Sequence, residues 1–438
     1  MTRTLARELA SKIGQTVTIN GWLHKKRLMG GLNFITIRDR SGLTQTLVDD
    51  KEQLEKLRGM QTGTVVEFTG MVVADERAPG GAEMHDVKVQ VKVPVEYESP
   101  IEIDKPLSHL PENLDTLFNT RVIGLRNIQE ANIFRVQAGV KEAARQYLRG
   151  NEFVEFNSPK LLPGATEGGA EVFKLDYFGK EATLAQSAQF YKQIMVGVFE
   201  RAFEINPTYR AELSATTRHL TEFIHIDAEM GYTTFQELLS VVGGLLIFVQ
   251  KKIWETNKAE LTSLNATPAK LPDDAIPQLA LQKIHEMYSK ATGENTIGEK
   301  DMRPDEEKWI CEYAKKNLGS EAVLVTEWPA SEMKFYHRTA DDDPTIAERA
   351  DLIFRGVEIA TISMREHRYK ELLQQLVNLA HGDPEADGFK YYLQAFKYGL
   401  PPHGGFGVGL ERLTQKTIGL ANVKEASLFP RDINRLTP

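Results

Sequence analysis

Between residues 222 and 231 the chain reads EFIHIDAEMG, in which Ile224, Ile226, Ala228 and Met230 alternate without a break with His225, Asp227 and Glu229. Successive side chains of a strand point to opposite faces, so this segment is a strand with one apolar and one ionic face. RAFEINPTYRAE leads into it as another extended stretch, with Arg210 and Glu212 two apart and therefore on one face. A loop carrying Arg218 and His219 joins the two. Such a face is costly as structure alone, because its charges must be paired or hydrated. Two readings stand: a solvated sheet face with surface salt bridges, or the floor of a binding site.

A second element of this kind is DLIFRGVEIATISMREHR, residues 351–368. With Arg355-Gly356 as a hairpin turn, Glu358 lies opposite Ile353 and on the side of Asp351. Two carboxylates so placed suit Mg2+, a hard ion that takes oxygen ligands and bridges to substrate phosphates. Arg365 follows in line, and an arginine can grip a carboxylate through two parallel hydrogen bonds. Alone, the segment is ambiguous. So are LLPGATEGGAEVF with Glu167, which in isolation is a surface turn, and LAQSAQFYKQIM, where Gln189 and Lys192 sit one helical turn apart. LPPHGGFGVGLERLT (400–414) reads as a glycine-rich turn entering a helix, an arrangement that holds phosphate. It fails as a dinucleotide loop. No apolar parallel strand precedes it, no βαβ unit with an acidic residue ~20 positions on follows, and Pro401-Pro402 disfavour a buried strand just before it.

At 438 residues the chain has room for two or three domains. Five short alternating segments in 16–98, with a helical DKEQLEKLRGM between the third and fourth, suggest a Greek-key barrel of the OB type or another five-strand barrel or sandwich. The proline-bearing stretch that follows reads as a hinge. Ile133, Val136, Val140, Ala143, Ala144 and Tyr147 then recur at helical spacing up to a stop at Gly150-Asn151. Strands and helices mix from there on without βαβ alternation, which favours an antiparallel α+β domain. The expected organisation is a barrel over 1–102, a hinge over 103–130 and an α+β domain over 131–438, with a helical connecting region at about 255–345. Cys311 is the only cysteine, so neither an intrachain disulfide nor a cysteine-based zinc site is possible. With no signal peptide and no apolar run of the ~18 residues that span a bilayer, a cytoplasmic protein is expected. A net charge of −8 argues against a nonspecific nucleic-acid coat and leaves room for a shaped RNA-binding face with local arginines.

YRAE…TTRH and GFGVGLERL resemble the second and third signature motifs of class II aminoacyl-tRNA synthetases. The helix at 131–149 with FVEFNSPKL looks like the first, which in that class builds the dimer interface. The motifs occur in the expected order, and an N-terminal OB barrel marks the subclass for aspartate, asparagine and lysine. ATEGGAEVF, LAQSAQFYKQIM, RGVEI and REHR look like aspartyl-tRNA synthetases of the archaeal type, and the likeness runs from about residue 15 to Pro438. Side-chain chemistry points the same way. Lys192 and Arg365 would offer two cations to an aspartate carboxylate, whereas an asparagine enzyme would leave them unpaired and a lysine enzyme would need acids there.

The resemblance implies a homodimer, without membrane or DNA partners, that uses ATP to join L-aspartate to tRNA through aspartyl-adenylate. By similarity, Arg210 holds the α-phosphate and the aspartate α-carboxylate, Glu212 the adenine amino group, and Arg218 and His219 the β- and γ-phosphates. Arg412 stacks on adenine and contacts the γ-phosphate, and Gly409 lies beneath the nucleotide. Asp351 and Glu358 hold Mg2+ with Thr361 as a hydroxyl ligand. Glu167, Gln189 and Asp227 bind the α-ammonium and orient the substrate, and Thr361 lies at the aspartate site. In the barrel, Phe34, Gln45 and Arg27 stand where the family stacks and reads anticodon bases, although Phe34 as a core residue is an equal reading from sequence. His24 and Pro79 match members that charge both tRNA(Asp) and tRNA(Asn), against a strictly discriminating alternative. Two departures stand out: Ala188 replaces the family's usual proline, and Ile362-Ser363 replace two glycines, which puts bulk beside the aspartate pocket. An amidating relative would lack the barrel. A noncatalytic RNA-binding descendant would have lost Arg210, Glu358 or Arg412, and all three are present.

Overall fold

The computed structural model describes residues 3–29, 32–110, 112–164 and 172–438, which group into two compact units, Met1–Glu130 and Ala131–Pro438. In the first, strands β1 (Thr16–Leu28), β2 (Asn33–Arg38), β3 (Leu43–Leu47), β4 (Val65–Ala74) and β5 (Ala82–Val93) run in the spatial order β1-β2-β3-β5-β4, and β4 pairs back onto β1. The barrel is therefore closed, as the OB pattern requires. Alternation explains its filling: Leu23, Ile35, Ile37, Val66 and Phe68 turn inward and are buried. Helix α1 (Lys51–Arg58), capped by the Asp50 carboxylate accepting from Gln53 N–H, packs Leu54 and Leu57 into the same core. At its other end the Lys26 ammonium donates to the carbonyls of Leu57 and Arg58.

Residues 103–130, expected as a hinge, hold short helices Leu114–Asn119 and Arg121–Gly124 and belong to the first unit. Phe118 is buried there, and Arg121 pairs with Glu130 at 2.5 Å with almost no exposure of either side chain. A buried ion pair of this kind is satisfied only while the segment stays folded.

The second unit is built on an eight-stranded sheet of β6 (Val154–Glu155), β7 (Arg201–Tyr209), β8 (Glu222–Gly231), β9 (Gln278–Ala280), β10 (Ala322–Thr326), β11 (Arg349–Phe354), β12 (Val357–Met364) and β13 (His403–Gly409). Their order is β9-β10-β11-β12-β13-β8-β7-β6, antiparallel throughout the middle and parallel at each edge. Helices α2 (Ile128–Gly150), α3 (Gln189–Phe199) and α4 (Phe235–Thr256) precede the connecting region, where α5 (Leu281–Thr292) and α6 (Pro304–Asn317) lie. That region is not purely helical, since β9 and β10 fall within it and extend the sheet. Residues of α2 and α4 pack against Ile226, Ala228, Met230, Ile362, Phe406 and Val408, so these helices cover the sheet's apolar face. The ionic face is left for a cleft.

LPPHGGFGVGLERLT proved to be a strand running into a helix rather than a turn: His403–Gly409 is β13, paired on both sides, and α7 (Leu410–Ile418) follows at once. Gly405 stands opposite Glu229 of β8 and Ser363 of β12. A Cβ on Gly405 would lie 1.9 Å from Glu229 Oε2 and 2.4 Å from the Ala228 carbonyl. The glycine makes room for a buried carboxylate, not for a phosphate.

Candidate active site

The cleft over the ionic face has a volume of ≈ 380 Å³ and is lined by Gln189, Lys192, Arg210, Glu212, Arg218, His219, Asp227, Glu358, Thr361, Arg365, Gly409 and Arg412. Residues from four stretches far apart in the chain, 189–192, 210–227, 358–365 and 409–412, thus converge there. Asp351 is buried beneath it. Glu167 lies outside the described residues.

One end is a fourfold ionic cluster. Gln189 and Lys192 lie on α3, buried. Lys192 Nζ donates to Asp227 Oδ1 and to the Phe406 carbonyl, both at 2.9 Å. Arg365 grips Glu229 with two hydrogen bonds, Nε to Oε1 at 2.8 Å and Nη2 to Oε2 at 3.2 Å. Its Nη1 donates to Ser363 Oγ, and its guanidinium lies 5.5 Å from the centre of the Tyr336 ring. Burial alone would push the Asp227 carboxyl up, but the Lys192 ammonium and the His225 ring outweigh it and hold it below the usual range. From sequence alone Lys192 and Arg365 are two uncompensated cations. The structure supplies each with its own buried carboxylate, because isolated charges would not be tolerated at this depth. The cluster is therefore close to neutral, and what it offers a ligand is the placement of its remaining N–H donors rather than net charge.

Glu229, fully buried, belongs to the same alternating face, and the sequence pattern alone gives it no role. The bulk at Ile362-Ser363 also resolves into two opposite effects. Ile362 points into the core on the far face, and Ser363 turns toward the cleft, where its hydroxyl accepts from Arg365. The substitution adds a ligand to the arginine instead of filling the pocket.

The other end is lined by arginines. Arg210 lies 5.6 Å over the Phe223 ring, and the His219 ring contacts Thr216 Oγ1 at 2.7 Å. Arg412 Nη1 donates to the Glu358 carbonyl at 2.9 Å and lies 3.4 Å from its carboxylate. Its neighbour Glu411 does not share the role: both carboxylate oxygens accept from Ile224 N–H, which pins the start of α7 to β8. Arg218 donates to Glu307 Oε2 at 2.8 Å and to the Gly356 carbonyl at 3.2 Å. Nothing in the sequence pattern pointed to Glu307, which lies 89 positions away on α6.

The β11–β12 hairpin has the expected register, with Ile353 opposite Glu358 and Asp351 opposite Thr361, and an irregularity between Leu352 and Ile353. Thr361 Oγ1 donates to Glu358 Oε1 at 2.8 Å, and Arg349 Nη2 to Asp351 Oδ2 at 2.7 Å. The buried Asp351 Oδ1 has no hydrogen-bond partner among the described residues. Burial raises the Asp351 carboxyl to about 7, Arg349 opposing and the Glu358 carboxylate adding. Among the described residues no group of three or more His, Cys, Asp or Glu gathers as a metal cage. An orphaned carboxylate oxygen beside a second carboxylate and a hydroxyl fits an ion that keeps most of its ligands as water and phosphate, which is the habit of Mg2+.

In the barrel, Arg27 lies 5.5 Å over the Phe34 ring and donates to Gln45 Oε1 at 2.8 Å. Gln45 Nε2 donates in turn to Glu83 Oε2 at 2.8 Å. Phe34 is half-buried and stands outside the barrel core, so the core reading of that residue fails. His24 is buried at the β1 irregularity, and burial lowers its ring to about 4, whereas Pro79 is exposed.

Residues 113–433 match the family model described as class II tRNA synthetases (D, K and N), and residues 17–96 match the OB-fold nucleic acid binding domain. The aspartate–tRNA(Asp/Asn) ligase of Thermus thermophilus is 40% identical over all of both chains. That of Deinococcus radiodurans is 38% identical over 100% of this chain and 99% of its own. The asparaginyl-tRNA synthetase of Pyrococcus horikoshii complexed with asparaginyl-adenylate superposes with a TM-score of 0.91 at 30% identity, covering all of both chains. No helix among the described residues is long and apolar enough to cross a membrane. A closed barrel, a central antiparallel sheet with its ionic cleft, and matches across nearly the whole length lead to one conclusion: the chain belongs to the class II tRNA synthetases of the D, K and N group.

Proposed function

We propose that the chain is an aspartate–tRNA ligase that activates L-aspartate with ATP and passes it to tRNA. The observation that carries this reading is the Lys192–Asp227 and Arg365–Glu229 cluster at one end of a cleft whose other end is lined by arginines. An ammonium has three N–H bonds and a guanidinium five, so each cation keeps donors after its protein partners are satisfied. An aspartate side-chain carboxylate accepts from them. An asparagine amide would turn its NH2 against the same donors and leave them unpaired, which a buried site penalises strongly. Asp227 Oδ2, which makes no hydrogen bond among the described residues and lies 3.4 Å from His225 Nδ1, and Gln189 suit the α-ammonium.

Arg210 would bridge the α-carboxylate and the α-phosphate. A carboxylate oxygen attacks the α-phosphorus in line, and the bond to the bridging oxygen breaks to release pyrophosphate. Arg218, His219 and Arg412 spread the charge of that leaving group, while Glu212 accepts from the adenine amino group. The terminal ribose hydroxyl of tRNA then attacks the adenylate carbonyl, and AMP leaves with the bonding pair. Catalysis is placement and charge neutralisation, with no covalent protein intermediate and no assigned general base. Asp351, Glu358 and Thr361 would hold Mg2+. When bound, that ion neutralises phosphate charge.

Phe34, with Arg27 and Gln45, would receive an anticodon base, an aromatic stack worth ~1–3 kcal/mol. The names of the two bacterial relatives, with His24 and Pro79, support charging of both tRNA(Asp) and tRNA(Asn). By family likeness the protein is a homodimer, its contact running through α2 and the edge strand β6, where Val154 is exposed. Sedimentation at micromolar concentration tests this, and a monomer would refute it. The function is tested by pyrophosphate exchange with aspartate, asparagine and lysine, followed by charging of both transcripts. Exchange driven by asparagine or lysine overturns the amino-acid assignment, and charging of tRNA(Asp) alone overturns the relaxed tRNA choice.

A further inference from the structure

The connecting region borders the cleft at Glu332, Lys334, Tyr336 and His337, and its helix α6 reaches the arginine-lined end through Glu307. At the hairpin turn between β11 and β12, Arg355 and Gly356 both have positive φ, 47° and 78°. The turn is fixed from outside, since the Arg355 guanidinium donates to Glu321 and to the carbonyls of Lys416 and Thr267. A Cβ on Gly356 would meet Lys308 Cα at 3.1 Å, so α6 packs directly on the turn. That contact carries Glu307, the residue before Lys308, to Arg218 at 2.8 Å. The Gly356 carbonyl holds the other end of the same guanidinium. The side chains of Arg218 and Glu307 are only 21% and 12% exposed, which removes this pair from the class of solvated surface bridges.

We infer that Glu307 is a positioning residue for the phosphate end of the active site: with the Gly356 carbonyl it holds Arg218 in the cleft, ready for the β- and γ-phosphates. Arg218 lines the cleft while both contacts are made, and a guanidinium with five N–H bonds keeps donors to spare. The pairing therefore prepares the arginine rather than hiding it. Freed from Glu307, the long side chain would have to be ordered again by each incoming nucleotide. This rests on the aspartate-activation reading above.

The test compares wild type with E307Q, R218A and the double variant in aspartate-dependent pyrophosphate exchange, together with calorimetric binding of ATP and of AMP. E307Q is expected to raise KM for ATP about tenfold, the scale of a lost charge-assisted hydrogen bond. KM for aspartate and the Kd for AMP, which lacks the outer phosphates, should stay within about twofold. In the R218A background E307Q should add nothing, which a merely structural role would not produce. An unchanged or lower KM for ATP, an equal loss of AMP affinity, or additive effects in the double variant would overturn the inference. If wild type exchanges only with another amino acid, the aspartate reading fails, and the Glu307 comparison is made with that amino acid.

Discussion

Gly405 is the position at which the sheet's geometry and the amino-acid pocket are most tightly coupled, and Gly405→Ala is the most informative perturbation. The glycine lies between Glu229 and Ser363 on neighbouring strands, and both of those residues hold Arg365. An alanine Cβ would sit 1.9 Å from Glu229 Oε2, 2.4 Å from Glu229 Cδ and 2.4 Å from the Ala228 carbonyl oxygen. The carboxylate can retreat only by leaving the arginine, and the carbonyl is part of the β8–β13 ladder. Overpacking of a core typically costs ~1–3 kcal/mol, and breaking a buried charge pair ~3–5 kcal/mol. Even the low end of the combined loss, about 4 kcal/mol, would lower the melting temperature by roughly 10 °C in a domain of this size. With Arg365 displaced, KM for aspartate should rise about 100-fold or more, each 1.4 kcal/mol being tenfold. KM for ATP should move far less, since no nucleotide group is assigned to that end. Gly388→Ala, where an added Cβ meets nothing within 4 Å, is the control and should match wild type in both assays. A G405A protein that melts with wild type and keeps its aspartate KM would show that Glu229 does not need the space.

Phe34→Ala should weaken tRNA binding by ~1–3 kcal/mol, seen as a raised KM for tRNA in charging, while pyrophosphate exchange without tRNA is unchanged; a loss in both would assign Phe34 to the fold. Glu358→Gln should raise the Mg2+ concentration needed for half-maximal exchange about tenfold or more and weaken Mn2+ binding measured by electron paramagnetic resonance; unchanged Mn2+ binding would remove Glu358 from the metal site. Burial raises the Glu411 carboxyl from 4.5 to about 7 against the opposing Ile224 N–H. Between these values the folded chain keeps a proton that the unfolded chain has released, so stability falls as pH rises through this window. Glu411→Gln removes that dependence, and relative to it wild type should lose roughly 3 kcal/mol between pH 4.5 and 7.5. Parallel melting curves at both pH values would contradict the buried proton.

What the sequence determined by itself is whatever spacing along one chain segment controls. Period-two alternation put His225, Asp227 and Glu229 on one face and Ile226, Ala228 and Met230 in the core, and helical spacing placed Gln189 beside Lys192. The two-residue turn at Arg355-Gly356 set the register that faces Glu358 toward Asp351's side. The signature motifs carried the rest of the site by resemblance. Tertiary structure alone decided which charges neutralise which. Lys192 meets Asp227 across 35 positions and Arg365 meets Glu229 across 136, because β13 enters the sheet between β12 and β8 instead of following its neighbour in sequence. That insertion also turned the glycine-rich stretch from an apparent phosphate loop into a strand in which the missing side chain of Gly405 makes room for Glu229. Periodicity reports the face on which a residue lies. It carries no information about which strand will lie alongside, and in a buried ionic site that neighbour determines whether a charge is tolerated.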